Sequence, residues 1–131
     1  MKIAVDTNVL VRAAVRDDLK QAEAATRLMA RAEMVAVALP CLCEFVWVLR
    51  SAYRFRPTDI AKAIRTLLAA ENVEANRPAV EAGLAMLEAG GDFADGAIAY
   101  EGRWVGGETF VSFDAKVVEL LRTQGEYARL L

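Results

Sequence analysis

The chain of 131 residues contains no histidine. This absence excludes serine–histidine–aspartate and cysteine–histidine nucleophile systems, histidine general bases and histidine metal ligands. Any catalysis by this chain must therefore depend on carboxylates, amines, hydroxyls or a metal ion.

Cysteine is nearly absent as well, since only Cys41 and Cys43 occur. Their spacing of two fits neither an ordinary disulfide nor neighbouring positions on a helix, and no second cysteine pair exists to complete a zinc site. We interpret both as small apolar core residues.

The chain also lacks a strong net charge and a long uninterrupted apolar run. Sixteen basic and 18 acidic residues give a net charge of −2, so no overall positive field attracts nucleic acid or an anionic membrane. The longest apolar stretch, 34–49, is interrupted by Pro40 and Glu44, and the N-terminus has no hydrophobic segment typical of a secretory signal. We predict a soluble, cytoplasmic protein that makes no membrane contact.

Short apolar runs alternate with longer helical patterns, which indicates an α/β fold around a parallel sheet. The length fits one domain, and we predict a single domain over 1–131. Strands are predicted at 2–5, 34–39, 72–75 and 109–113. Helices are predicted from Asp18 to about 33, from 40 to about 53, from 58 to about 70, from 78 to 88, from about 92, and over 115–123.

The predicted helix over 40–53 has almost no polar face, and Glu44 is the one acidic residue within it. We expect this helix to be buried on most sides. It is either a central core helix or one that also supplies a subunit interface, because an apolar surface left after folding marks a partner site. A buried Glu44 would need a partner, such as a metal ion or an arginine like Arg12 or Arg50.

Two further acids follow predicted strands. Asp6 ends the first strand and Asp114 ends the last, so both are expected at the sheet edge where ligands bind in open parallel α/β folds. Asp92 and Asp95 start a predicted helix and share one side of its first turn. Each aspartate also has a purely structural interpretation at a helix N-terminus, and for Asp92 capping is a sufficient explanation.

Acids that converge at one sheet edge repel by roughly 4 kcal/mol per close pair at an effective dielectric constant near 20. A cation must offset this repulsion. Because all the candidate ligands are oxygens, the pattern favours a hard ion, Mg²⁺ or Mn²⁺.

The order of these motifs resembles the PIN-domain ribonucleases, and within them the VapC-type toxins of bacterial toxin–antitoxin pairs. The matching segments are Val-Asp-Thr-Asn-Val-Leu at 5–10, the apolar helix with Glu44, Gly-Gly-Asp-Phe-Ala-Asp at 90–95 and Ser-Phe-Asp at 112–114. The resemblance implies a three-layer α/β/α fold around a mainly parallel sheet of four or five strands.

The same resemblance implies a metal-dependent endoribonuclease with Asp6, Glu44, Asp95 and Asp114 as catalytic residues and metal ligands. Mg²⁺ or Mn²⁺ would activate a water that hydrolyses an RNA phosphodiester. The implied partners are an RNA substrate, a cognate antitoxin protein and a second copy of the chain in a homodimer. Two positions depart from the usual pattern: Ser112 replaces a threonine, and Gly96 replaces an alanine and is expected to loosen the helix start under Asp95.

Several neighbours of these acids are possible supporting residues, each with an ordinary structural alternative. Asp92 matches the first acid of the Asp-Phe-Ala-Asp segment. Thr7, Asn8 and Ser112 either hold the adjacent acids by hydrogen bonds or serve turn chemistry. Arg12 either contacts RNA phosphate or is a solvated surface charge.

Other functions share some of these features. A phosphoacceptor receiver domain requires an acidic pair after the first strand and a lysine that ends the last, and a haloacid-dehalogenase-type phosphatase requires an aspartate where Asn8 stands. A non-catalytic PIN-like interaction module is the alternative from a different class. The complete set of acids argues against it.

Overall fold

The computed structural model describes all 131 residues and contains seven α-helices and five β-strands. The chain divides into two compact units. The N-terminal unit comprises Met1–Asn76 and the C-terminal unit comprises Arg77–Leu131.

The N-terminal unit consists of a parallel sheet and four helices. The strands are β1 (Lys2–Ala4), β2 (Met34–Ala36) and β3 (Val73–Glu74), and β2 lies in the middle of the sheet. The register pairs Ile3 with Val35 and Val35 with Val73, and Val35 is completely buried. The helices are α1 (Thr7–Val15), α2 (Leu19–Arg31), α3 (Leu39–Ser51) and α4 (Pro57–Ala69). They provide the crossover connections that parallel strands require.

The C-terminal unit begins with two packed helices and ends with a second parallel pair of strands. Its elements are α5 (Arg77–Glu88), α6 (Phe93–Trp104), β4 (Phe110–Ser112), α7 (Ala115–Thr123) and β5 (Ala128–Leu130). Phe110 of β4 packs against a buried cluster formed by Met86, Ala99, Val117, Val118, Leu121 and Ala128. This cluster attaches β4 and α7 to the rest of the unit.

The predicted α/β class with parallel strands is confirmed. All the strand pairs are parallel, and the five strands form a three-stranded and a two-stranded sheet. Strand β5 was not predicted, because its three residues include the charged Arg129 and only Ala128 is buried. The predicted helices are present within about two residues of their expected ends, and Asp18 caps α2 by accepting a hydrogen bond from the Gln21 amide at 3.1 Å. None of the helices is both long and apolar enough to cross a membrane.

Helix α3 is only half buried, so the expectation of burial on most sides is wrong. Its buried residues form one stripe: Cys41, Leu42, Phe45, Val46 and Leu49. Glu44 and Trp47 lie on the opposite side, where Trp47 is 68% exposed. The composition of the helix is apolar on all sides, but packing covers only the stripe.

The contact between α5 and α6 depends on glycine. A Cβ atom added at Gly83 would lie 2.6 Å from the ring of Phe93, and one added at Gly96 would overlap the carbonyl oxygen of Ala82. Gly96 is buried. The expectation that Gly96 loosens the start of α6 is therefore wrong, because this glycine permits the close approach of the backbone that fixes α6 against α5.

Candidate active site

Asp6 lies directly after β1 and caps helix α1. Its backbone is extended, and its Oδ1 atom accepts a hydrogen bond from the Thr7 amide at 2.7 Å. The side chain is exposed, and Oδ2 has no hydrogen-bond partner within the N-terminal unit. Capping thus fixes one carboxylate oxygen at the positive end of the helix and leaves the other free to bind a ligand.

Thr7 connects Asp6 to Glu44. Its side chain is buried, with 8% of the residue exposed, and its Oγ1 atom donates a hydrogen bond to Glu44 Oε2 at 2.9 Å. The backbone amide of Thr7 holds Asp6, while its hydroxyl holds Glu44. The alternative in which Thr7 holds its adjacent acid is therefore supported for Asp6, and the hydrogen bond to Glu44 was not predicted.

Glu44 is exposed, so the expectation of a buried carboxylate is wrong. Helix α3 presents Glu44 on its open side, and the partner that it finds within the unit is the Thr7 hydroxyl. Neither Arg12 nor Arg50 pairs with it. Since Glu44 needs no counterion for burial, its Oε1 atom remains available to a ligand.

Cys41 lies one helical turn before Glu44, close to the Thr7 hydroxyl that also contacts Glu44. Its Sγ atom is 3.6 Å from Thr7 Oγ1 and 3.7 Å from the carbonyl oxygen of Val5. Burial raises the pKa of the Cys41 thiol, and the Asp6 and Glu44 carboxylates raise it further. Cys41 is thus a neutral core residue, as predicted, but its place beneath the acids was missed. Its spacing of three from Glu44 was the available signal.

The C-terminal unit carries the other candidate acids. Asp92 caps α6 by accepting a hydrogen bond from the Ala94 amide at 3.4 Å, and Asp95 follows in the first turn. Asp114 caps α7 by accepting from the amides of Lys116 at 3.0 Å and Val117 at 3.3 Å. All three acids therefore lie at helix N-termini, as their spacing predicted.

Ser112 holds the backbone just before α7. Its Oγ atom accepts a hydrogen bond from the Asp114 amide at 2.9 Å. This bond and the capping bonds of Asp114 fix the Ser112–Asp114 segment on both sides. The Ser112 hydroxyl therefore helps to position the backbone of Asp114.

Asp95 is the acid of this unit whose protonation is perturbed. Burial raises its pKa above the ordinary value, and the negative charges of Asp92 and Asp114 raise it further. Nearby like charges disfavour ionisation, and Asp92 and Asp114 are the acids that act on Asp95 in this way. A cation near these acids would favour the ionised form of Asp95.

Arg12 and Asn8 make no hydrogen bond to the candidate site acids Asp6 and Glu44. The Arg12 guanidinium donates to Asp17 at 3.0 Å and to the Tyr53 hydroxyl at 3.3 Å, and Tyr53 also donates to Asp17 at 3.0 Å. These contacts lower the pKa of Asp17, mainly through the Tyr53 hydrogen bond. Arg12 thus ties the α1–α2 connection to the end of α3. Asn8 is exposed and lines a groove of about 480 Å³ with Arg12 and residues of α2.

The donor set fits a hard divalent cation. Asp6, Glu44, Asp92 and Asp114 each retain one carboxylate oxygen without a hydrogen-bond partner in its own unit, and all of the donors are oxygens, which Mg²⁺ and Mn²⁺ prefer. No group of three or more such side chains is close enough together to hold a metal ion in this structure.

A family model described as the PIN domain matches residues 3–120 of the chain. The chain belongs to the PIN domain family. PIN domains are generally nucleases and are commonly metal-dependent, so this PIN domain has a nuclease fold with acids at the positions that the sequence singled out. A sequence comparison with curated proteins finds no match.

Proposed function

We propose that this PIN domain is a metal-dependent endoribonuclease that uses Asp6, Glu44, Asp95 and Asp114 to hold Mg²⁺ or Mn²⁺. Family membership supports nuclease chemistry. The observation that carries the proposal is that hydrogen bonds fix Asp6, Glu44 and Asp114 through one oxygen each and leave the other free. A carboxylate held in this way loses little conformational entropy when it binds a cation.

Each side chain has a distinct task in this proposal. A divalent cation, when bound, supplies an activated water and neutralises charge on the phosphate. Thr7 orients Asp6 and Glu44 at the same time, and Ser112 orients Asp114 through the backbone. Either Asp95 or Asp114 would orient the attacking water, while the remaining acids hold the cation.

An RNA cleavage assay tests this proposal. We expect purified protein to cleave RNA with Mg²⁺ or Mn²⁺ and to lose this activity in EDTA, and we expect Asp114→Asn to be inactive. Products should carry 5′-phosphate and 3′-hydroxyl ends if water is the nucleophile. Products with 2′,3′-cyclic phosphate would refute the mechanism, because such ends require the RNA 2′-hydroxyl to attack. Cleavage of DNA alone would refute the RNA assignment, and a chain without nuclease activity would support the non-catalytic interaction module.

We further propose that the chain is the toxin of a cytoplasmic toxin–antitoxin pair, with a separately encoded antitoxin and a homodimeric assembly. The resemblance to VapC-type toxins implies these partners, and the exposed Trp47 on the apolar helix α3 supports an interface. Light scattering tests the dimer, and a strict monomer at high micromolar concentration would contradict it. Growth arrest on expression, relieved by a gene encoded beside this one, tests the toxin role.

A further inference from the structure

A groove of about 480 Å³ lies between helices α1 and α2 of the N-terminal unit. Its volume lies within the range of sites that bind small organic groups. The apolar part of its lining consists of Val9, Ala24, Ala25 and Leu28. The two alanines keep the groove open, because larger side chains at these positions would fill it.

Three polar side chains complete the lining of this groove: Asn8, Arg12 and Gln21. The side-chain amides of Asn8 and Gln21 have no hydrogen-bond partner within the N-terminal unit, since the cap of α2 uses only the backbone amide of Gln21. Arg12 differs from them, because Asp17 and Tyr53 hold its Nη1 atom. The groove therefore carries two unused carboxamides, each of which offers both donors and an acceptor.

The groove matches a nucleobase in both parts of its lining. A base has two apolar faces and an edge of hydrogen-bond donors and acceptors. The apolar side chains suit the faces, and the carboxamides of Asn8 and Gln21 suit the edge. An apolar helix seated in the groove would instead cover these amides without pairing them, which disfavours binding because a buried polar group without a partner is costly.

Helix α2 supplies positive charge beside the groove. It carries three basic residues and one acidic residue, although the whole chain has a net charge of −2. Lys20, Arg27 and Arg31 are exposed and follow the spacing i, i+7 and i+11, which places them on one side of the helix. Ala24 of the groove lies on the same side. The phosphate groups of an RNA strand would find their counter-charges here.

The groove begins beside the proposed metal ligands of the N-terminal unit. Asn8 directly follows Thr7, and adjacent Cα atoms are about 3.8 Å apart. Thr7 holds Asp6 through its backbone amide at 2.7 Å and Glu44 through its hydroxyl at 2.9 Å. A base in the groove therefore belongs to a nucleotide close to the phosphodiester that lies at these acids.

We propose that the α1–α2 groove binds one base of the RNA substrate through Asn8 and Gln21, and so selects the sequence at which the RNA is cleaved. This inference rests on the proposed ribonuclease function. The expected base is adenine, because a carboxamide side chain forms a pair of hydrogen bonds with its adjacent donor and acceptor. Guanine is matched by arginine, and the guanidinium of Arg12 is already held by Asp17 and Tyr53.

Cleavage of a pool of RNAs with a randomised sequence tests the proposal. Sequencing of the wild-type products should show adenine enriched at one position near the cleaved bond by about five- to 150-fold, the discrimination that one such pair provides. Gln21→Leu keeps the approximate size of the side chain and removes its amide, so the enrichment should fall about fivefold or more. The melting temperature of this variant should equal that of wild type, since the side chain is exposed.

Gln124→Leu is the matched control. Gln124 is also an exposed glutamine, and it lies at the C-terminal end of α7, outside the groove. This variant should retain the wild-type enrichment of adenine. Loss of the enrichment in both variants would overturn the assignment to the groove.

Arg27→Ala separates phosphate contact from base recognition. It should lower kcat/KM for every RNA sequence by a similar factor and reduce the dependence of KM on salt, because it removes one counter-charge. The enrichment of adenine should stay at the wild-type value.

A modified base in the RNA identifies the contact. Replacing the selected adenine by purine, which lacks the N6 amino group, should raise KM for wild type about tenfold. A double variant, Asn8→Ala with Gln21→Leu, should cleave the adenine and purine RNAs with the same kcat/KM, because the base and protein changes remove the same hydrogen bonds. A double variant that still distinguishes the two RNAs as wild type does would overturn the proposal.

The outcomes separate this proposal from the proposed function. If wild type cleaves RNA, Asp114→Asn does not and Gln21→Leu retains the wild-type sequence preference, only the base recognition is wrong. If Gln21→Leu retains the preference but its growth arrest is no longer relieved by the neighbouring gene, the groove binds a protein and base recognition is refuted. If wild type cleaves no RNA with either metal ion, both proposals fail together.

Discussion

Replacing Gly96 by alanine tests how closely α5 and α6 pack. An alanine in a helix interior is more favourable than glycine by about 1 kcal/mol. At Gly96, however, the new methyl group would overlap the backbone carbonyl of Ala82 and approach Met86 Cβ to 2.8 Å. A backbone atom cannot move away as a side chain can, and overpacking of this kind costs about 1–3 kcal/mol. The two effects leave a net destabilisation of up to about 2 kcal/mol.

Gly102 in the same helix is the matched control, because a Cβ atom added there meets nothing within 4 Å. Gly102→Ala should therefore stabilise the protein by about 0.5–1 kcal/mol. For a chain of this size, 1 kcal/mol corresponds to about 4 °C in melting temperature. Thermal unfolding in EDTA should show Gly96→Ala melting below wild type, by up to about 8 °C, and Gly102→Ala melting about 2–4 °C above it. If both variants melt above wild type, the close approach at Gly96 is wrong.

Three further predictions concern the acids and Thr7. Asp95→Asn should stabilise the metal-free protein at neutral pH, because a raised pKa means that ionised Asp95 opposes folding. The difference in unfolding free energy between the variant and wild type should vanish as the pH falls below the ordinary pKa of aspartate. Denaturation at several pH values will measure this difference. Glu44→Gln should lose nearly all metal-dependent cleavage. It should melt no lower than wild type in EDTA, because the amide oxygen of the glutamine can still accept a hydrogen bond from Thr7. It should also gain less stability than wild type when Mg²⁺ is added. A lower melting point in EDTA with an intact Mg²⁺ response would instead mark Glu44 as structural. Thr7→Val should reduce cleavage about tenfold or more, because it removes the hydroxyl that holds Glu44. Thr7→Ser keeps the hydroxyl and should retain most of the wild-type activity. Equal activity of the two variants would refute the positioning role of Thr7.

The elements that the sequence predicted well are those with local signals. The Asp18 cap with Gln21 three residues later marked the start of α2, and the two glycines before Asp92 marked the break before α6. These signals depend on neighbours along the chain. The parallel pairing of β1 with β2 followed from the helices between them.

The errors concern features that depend on distant parts of the chain. The composition of α3 does not specify which side of the helix packs, so Glu44 was expected to be buried and is exposed. Whether a glycine loosens a helix or allows a close contact depends on what lies opposite, and Gly96 faces the Ala82 carbonyl. The link from Thr7 to Glu44 spans 37 residues and was not predicted, because the sequence suggested only that Thr7 holds its adjacent acid or serves turn chemistry. The assignment of Asp6, Glu44, Asp95 and Asp114 as metal ligands and the single domain over 1–131 stay predictions.

The position of three acids at helix N-termini affects how this chain can change during evolution. Asp6, Asp92 and Asp114 cap α1, α6 and α7, and replacing such a cap by alanine costs about 0.5–2 kcal/mol of stability. Selection for a stable fold alone therefore preserves a capping side chain at these positions, even in a descendant that no longer cleaves anything. Asparagine caps a helix about as well as aspartate. At Asp6 and Asp114, which the proposed function places at the metal ion, an Asp→Asn change is thus the short route from an active to an inactive descendant, because it removes the charge and leaves the helix start intact.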